Sequence, residues 1–223
     1  MRSLDHSLFL ALNRGVANPI LDWVMPRITN LHKDTWFAVP VIIFVLCVLF
    51  RGCKLSKAWV ICAVLAVSIA DPVSVRIAKK AFNRDRPCKL STIHPGYVLP
   101  ETRMVPGETC PGSASFPSSH ASNMMALATI CWWFQRKSKS TTKVSEGSEP
   151  IEPTDWKPYL WFLLPLVIGY SRIYLGYHYP SDVVGGWICG SLISAVIIAI
   201  YRSLIKENAN SQIIDVQNKQ DEG

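Results

Sequence analysis

Three short clusters combine the residue types that bind and cleave phosphate esters. Lys79 is followed after six residues by Arg86 and Pro87 (KKAFNRDRP). Pro117, Ser118, Ser119 and His120 make the second cluster. Ser171 and Arg172, five residues, His178, three residues and Asp182 (SRIYLGYHYPSD) make the third. Phosphoryl transfer needs cationic donors on the equatorial oxygens, an in-line nucleophile and a proton donor for the leaving oxygen. Lys79, Arg86 and Arg172 supply cations, and arginine's planar fork suits bidentate phosphate contact. Pro117-Ser118 reads as a helix start with Ser118 as N-cap candidate. The N–H groups of Ser118, Ser119 and His120 would then face outward as an anion site. Taken singly, each residue has a plainer reading. A lone Lys or Arg at a membrane edge usually snorkels, and a lone His beside Tyr174, Tyr177 and Tyr179 is usually structural. Seven such positions in order argue for chemistry, while Tyr177 and Tyr179 themselves read as interface-belt aromatics.

The elements that must carry these residues are apolar. Of 223 residues, 49% are hydrophobic and only 17% charged, against roughly 25% charged in an average soluble domain. Mean hydropathy is +0.20, and the apolar residues fall in blocks. This excludes a disordered chain and an ordinary soluble enzyme, and predicts a polytopic all-α membrane bundle of about five to six spans. Spans are expected at Thr35 to Phe50, Ala58 to about Val75, Ser119 to Gln135, Pro158 to Tyr174 and Val183 to Leu204. One domain covers 1–206. Within it, 83–116 reads as a long ordered loop and 136–157 as a flexible polar connector, with a disordered tail over 207–223. Residues 4–30 mix Leu8, Leu12, Ile20, Trp23, Val24 and Ile28 with Arg14, Asp22 and Arg27. They read as one or two amphipathic helices on the membrane interface rather than a sixth span, and not as a cleavable signal peptide.

The net charge of +7 resides in connectors between apolar blocks, which fits lipid or phosphate partners and excludes nucleic acid. Arg51, Lys54 and Lys57, and Arg136, Lys137, Lys139 and Lys143, place two connectors in the cytoplasm by the positive-inside rule. The three clusters then share the opposite face. That face also carries Lys79, Lys80, Arg84, Arg86, Lys89 and Arg103, a surplus that a phosphate site explains. The seven cysteines form no CxxC, so no metal knuckle or redox centre is indicated. Cys47, Cys62, Cys131 and Cys189 read as packing residues.

The pattern K-x6-RP, then PSSH, then SR-x5-H-x3-D resembles the type 2 phosphatidic acid phosphatase (PAP2) superfamily. It departs only at Ser119, where that family usually has Gly. The resemblance covers about Lys79 to Asp182. It implies that Lys79, Arg86, Arg172, Ser118 and Ser119 bind substrate phosphate and that His178 is the nucleophile, forming a phosphohistidine. Asp182 takes the Nδ1 proton of His178, and His120 is the general acid. It implies no metal and no cofactor. Ser119 keeps the motif intact if its φ is helical.

The expected activity is hydrolysis of a lipid phosphate or diphosphate on the outer face of a cell membrane, with undecaprenyl (polyprenyl) diphosphate favoured. Phosphatidic acid, phosphatidylglycerophosphate and lipid A 1-phosphate stay open as substrates, as does phosphotransfer to a second lipid. A transporter is the non-enzymatic alternative; Asp71-Pro72 hints at a broken span, but no repeat accompanies it. Asp71 is a candidate by its place in a span and is kept out of the catalytic set. Lys80 and Arg84 are expected to shape the potential without touching phosphate. Cys88 and Cys110, 22 positions apart, either form a disulfide in an oxidising compartment or remain two thiols.

Overall fold

The computed structural model describes the backbone of residues 2–89, 102–145 and 156–221, and the side chains of 4–76, 81–89, 102–138, 156–207 and 210. Helices α1 (Arg2–Asn13), α2 (Pro19–Asn30), α3 (Thr35–Arg51) and α4 (Lys54–Pro72) follow in order. A π-helical turn, Val73–Ala78, leads into α5 (Lys79–Phe82). Then come α6 (Ser119–Ser145), α7 (Leu163–Tyr174) and α8 (Pro180–Asp221). Short 3₁₀ turns at Leu31–Lys33 and Lys157–Phe162 precede α3 and α7. Among the described residues there is no strand, as the all-α reading expects.

The centre of the bundle is α6, which packs against α4, α7 and α8. Cys62, Ala63, Ala66 and Ala70 of α4, Ala126, Ile130 and Phe134 of α6, and Ile197 and Ile198 of α8 form the main core. Most of these residues are small, so the helices approach closely. Two rows of residues four apart face each other: Gly186, Gly190 and Ser194 on α8, and Ser118, just before α6, with Ser122 and Ala126 on it. A Cβ at Gly190 would lie 2.2 Å from the Ser122 carbonyl oxygen, and one at Gly186 2.5 Å from that of Ser118. Ser194 Oγ donates to the Ala126 carbonyl at 2.9 Å. Small residues at four-residue spacing are what let membrane helices touch backbone to backbone.

The outside of the bundle is as apolar as the inside. No residue of α3 is buried, and Ile42, Ile43 and Phe44 on it, like Ile188, Leu192, Val196 and Ile200 on α8, are exposed. An apolar surface this continuous is a lipid-facing one. Two helices, Lys54–Arg76 and Pro180–Glu207, are long and apolar enough to cross a membrane. A third span arises if Pro19–Lys33 and Thr35–Arg51, bent by 46°, count as one. The five expected blocks therefore differ in form. The fourth has only 12 residues in its α-helix, with the rest wound as 3₁₀.

Two expectations about polar segments change. The connector after Gln135 continues α6 to Ser145, and the tail after Lys206 continues α8 to Asp221. Extending a formed helix adds one hydrogen bond per residue without a new nucleus, so polar sequence can follow. Residues 146–155 and 90–101, parts of the expected connector and loop, lie outside the described residues. The N-terminal segment is two helices, as expected, but they dock on the bundle: α1 and α2 both pack on α7, and Phe9 and Asn13 are fully buried.

Because the α6–α8 seam has no room for a side chain, Gly190→Val is expected to cost about 1–3 kcal/mol. It should lower the unfolding midpoint in detergent, whereas Gly112→Val, in open space, should not. Equal midpoints for the two variants would contradict the seam.

Candidate active site

The seam matters because α6 and α8 begin at the same end, and the three clusters meet there. Gly176, at φ +76°, turns the chain between α7 and α8. The segment after it, Tyr177 to Tyr179, is buried and carries His178. Tyr177 N–H and His178 N–H both point back to the Arg172 carbonyl, at 3.0 and 3.3 Å. The third cluster is thus one compact turn. Arg86 enters from the loop after α5, pinned nearby by the Cys88 N–H on the Gly176 carbonyl, 3.1 Å, and by a Cys88–Cys110 disulfide. The disulfide settles the alternative left open by the spacing.

Arg86 is 3% exposed and His178 1%. Arg86 Nη1 lies 3.0 Å from His178 Nε2 and also donates to the Tyr177 carbonyl at 2.9 Å. Its other nitrogens donate to Ser113: Nε to the carbonyl at 2.8 Å and Nη2 to Oγ at 2.9 Å. Since a guanidinium only donates, Nε2 is the accepting nitrogen and the His178 proton resides on Nδ1. Nδ1 faces Asp182 Oδ2 at 3.7 Å, beyond hydrogen-bonding reach, and makes no hydrogen bond. Burial, with Arg86 and Arg172 adding to it against the pull of Asp182, pushes the His178 ring down to about 3. The imidazole is neutral at physiological pH. Burial likewise brings Arg86 down to about 10, still a cation at pH 7.

Asp182 is fully buried and saturated with donors. Oδ1 accepts from Arg84 Nη1 at 2.8 Å; Oδ2 accepts from Ser115 Oγ and from the Tyr179 N–H, the latter at 2.7 Å. Its backbone carbonyl takes the Ser118 N–H at 2.9 Å, which ties the second cluster to the third. Arg172, 6% exposed, donates from Nη1 to Thr29 Oγ1 at 2.8 Å and stacks over the Tyr177 ring at 4.6 Å. His120 lies within electrostatic reach of Arg172, His32, His178 and Lys33, its ring 5.5 Å from that of His32.

Ser119 opens α6. Asn83 is the one described non-glycine residue with positive φ, so Ser119 takes the place of the usual Gly without strain. The first N–H groups of the helix have no intrahelical acceptor by geometry. Ser118 does not cap with its side chain: its Oγ and that of Ser119 are buried without a hydrogen-bond partner, as are Arg172 Nε and His178 Nδ1. Each such atom costs about 1–3 kcal/mol; these four belong to the motif clusters, while His6 Nε2, Ser122 Oγ, Asn123 Oδ1 and Trp132 Nε1 share the condition outside them. Of the residues singled out in the sequence, Arg86, Ser118, Arg172, His178 and Asp182 are joined by direct contacts, with His120 in electrostatic range. Lys79 opens α5, beside Arg86 in the chain; its side chain, like that of Lys80, lies outside the described residues.

Several readings need correction. Tyr177 and Tyr179 are buried, not a belt: Tyr177 Oη donates to Glu108, and the Tyr179 ring packs on Phe9 and under Arg84. Belt aromatics need one wet edge, and the turn denies it to both. Asp71 accepts from Asn123 Nδ2 at 3.3 Å and has no basic partner among the described residues. Arg84, expected to shape the potential, is also in direct contact with Asp182. Sequence reasoning missed Ser113, Ser115, Thr29, Asp5 and Asn13. Asn13 reaches the carbonyls of Arg103 and Tyr174 at 3.0 and 2.8 Å. For Asp5, Asn13 and Thr29 the available signal was a polar residue at an otherwise apolar helical position; Ser113 and Ser115, in the loop before α6, carried none.

Against this geometry, comparisons with known proteins agree. The chain is 29% identical over 199 residues to the lipid A 4'-phosphatase of Porphyromonas gingivalis, covering 89% of this chain and 73% of that one. It is 26% identical over 197 residues to the undecaprenyl-diphosphatase BcrC of Bacillus subtilis, covering 87% and 80%. A crystal structure of a transmembrane PAP2-type phosphatidylglycerolphosphate phosphatase from Bacillus subtilis has the same fold, with a TM-score of 0.61 at 20% identity over 91% of this chain and 86% of that one. The PAP2 superfamily model matches residues 57–206, a stretch that includes all three clusters and the core of α4, α6 and α8. The chain belongs to the PAP2 superfamily and is a membrane-embedded lipid phosphatase.

Proposed function

We propose that this phosphatase acts on a polyprenyl diphosphate such as undecaprenyl diphosphate, releasing inorganic phosphate and the lipid monophosphate. The observation that carries the reaction is the contact between the Arg86 guanidinium and His178 Nε2, with Asp182 behind the ring. A phosphoryl group seated against Arg86, Arg172 and the start of α6 competes for the guanidinium and leaves the Nε2 lone pair facing phosphorus. Lys79 is assigned to the same phosphate. Nε2 attacks, the bond from phosphorus to the leaving oxygen breaks, and His120 gives that oxygen its proton. The product is a phosphohistidine whose developing positive charge is balanced by Asp182. Water then attacks phosphorus, His120 takes its proton, and free phosphate departs with the ring restored. The Ser118 N–H is held by the Asp182 carbonyl, so Ser119 presents its N–H to the phosphate oxygens and Ser118 its unpartnered hydroxyl.

Support for the diphosphate comes from relatives named undecaprenyl-diphosphatase. Others are named lipid A 4'-phosphatase, so a phosphate on lipid A is the second reading. The site is assigned to the periplasmic or extracellular face of the cytoplasmic membrane. The basic connectors favour that orientation, and a disulfide two residues from Arg86 suits an oxidising compartment.

Phosphate release by the purified protein, measured across undecaprenyl diphosphate, lipid A, phosphatidic acid and phosphatidylglycerophosphate, is expected to be fastest with the first. No release from it, with release from another, would reassign the substrate. His178→Ala should lose roughly 1,000-fold or more in kcat and form no acid-labile phosphoenzyme; near-normal turnover would remove the nucleophile.

The neutral ring has a consequence for stability. An unfolded histidine takes up a proton near about 6.5, whereas the folded ring waits until about 3. Its contribution is fully present above the first value and is lost as pH falls toward the second. The unfolding midpoint in detergent should drop across that window, and less steeply in His178→Gln. The same slope in both proteins would contradict a neutral buried imidazole.

A further inference from the structure

Arg84 lies within the first cluster's stretch but at none of its motif positions, yet it has the closest charged contact to the carboxylate behind the nucleophile. Its Nη1 donates to Asp182 Oδ1 at 2.8 Å and to Ser181 Oγ at 2.6 Å, and its Nη2 to Asp5 Oδ2 at 2.6 Å. Both terminal nitrogens are therefore committed to protein oxygens. The guanidinium carbon stacks 4.0 Å over the Tyr179 ring, which fixes its plane as well as its position. Asp5 does more than neutralise Arg84. Oδ1 accepts the Ser181 N–H at 2.9 Å and Oδ2 the Ser181 hydroxyl at 2.6 Å. Asp5 thus sits at the N-terminus of α8, where a carboxylate is favoured by the free N–H groups and the helix dipole. That helix turn is the one that carries Asp182.

We propose that Asp5 and Arg84 are a positioning pair for the His178–Asp182 dyad, through which the docking of the first helix sets the nucleophile. Arg84 holds Oδ1, so that Oδ2, held also by Ser115 and the Tyr179 N–H, is the oxygen presented to His178 Nδ1. Asp5 holds Arg84 and the first turn of α8 in one frame. A carboxylate buried at this depth without its charged partner would rotate or neutralise, and the ring would lose the negative charge that faces its Nδ1 at 3.7 Å. Neither residue touches phosphate. The pair rests on the reading of His178 as the nucleophile.

Steady-state kinetics of the full-length protein in detergent, with whichever lipid of the panel is cleaved fastest, test the pair. Arg84→Ala should lower kcat on the order of 10- to 100-fold, the scale for losing a group that orients a reactive ring, with KM within about twofold. Arg84→Lys should regain part of the loss, since it restores the charge without the fork. Asp5→Asn, which keeps the shape and an acceptor, should lower kcat in the same direction by a smaller factor. The double variant Asp5→Asn/Arg84→Ala should be no slower than Arg84→Ala alone, because the two act as a unit. A rise in KM at constant kcat, kcat unchanged in both single variants, or multiplicative losses in the double variant would each overturn the pair. If Arg84→Ala does not fold, the Asp5→Asn and Arg84→Lys kinetics decide. The two readings fail separately: an active His178→Ala removes the nucleophile, whereas an inactive His178→Ala beside normal kcat in Arg84→Lys and Asp5→Asn removes only the positioning pair.

Discussion

One buried carboxylate organises this end of the molecule. Asp182 has no exposed surface, and an ionised carboxylate in such a place is tolerated only when its oxygens are filled. The donors come from four places in the chain: Arg84 after α5, Ser115 before α6, the Tyr179 N–H in the turn, and, on its carbonyl, the Ser118 N–H. Satisfying one charge therefore requires the loop after α5, the start of α6 and the start of α8 to be assembled at once. Arg86, Ser118 and Ser119, proposed to bind phosphate, ride on two of these same segments, so folding the support also assembles that part of the site.

Lipid supplies no hydrophobic force between helices, so the bundle depends on close fit. Gly186 and Gly190 lie against Ser118 and Ser122, and this contact brings the N-termini of α6 and α8 together. The apolar exterior works in the other direction: it confines the polar site to one end, where the chain leaves the hydrocarbon. The arginines at that end are held by carbonyls, hydroxyls and aromatic rings: Arg86 by Ser113 and Tyr177, Arg172 by Thr29 and the Tyr177 ring.

The motif residues were legible because their chemistry is carried by type and spacing. Arg172, His178 and Asp182 belong to a single turn, so a fixed interval in sequence is a fixed geometry in space, and the structure joins them to Arg86 and Ser118. The apolar blocks were equally legible, since hydropathy is additive along a segment. The edges were not. Helices α6 and α8 run past their apolar stretches, because propagation depends on the helix already formed and not on local polarity. Tyr177 and Tyr179 were misplaced for a similar reason: an aromatic beside a membrane end looks the same in sequence whether it faces headgroups or a buried arginine.

What the sequence determined by itself is the family motif with its proposed reactive groups, the membrane as solvent and the all-helical class, each a property of local composition or short spacing. The tertiary structure alone decided which charges face each other. Asp5 and Arg84 are 79 positions apart, Arg84 and Asp182 98, and Thr29 and Arg172 143, and nothing along the chain encodes that they meet. Pairing at such separations follows from how helices pack and which buried groups remain to be satisfied, and those are properties of the whole fold.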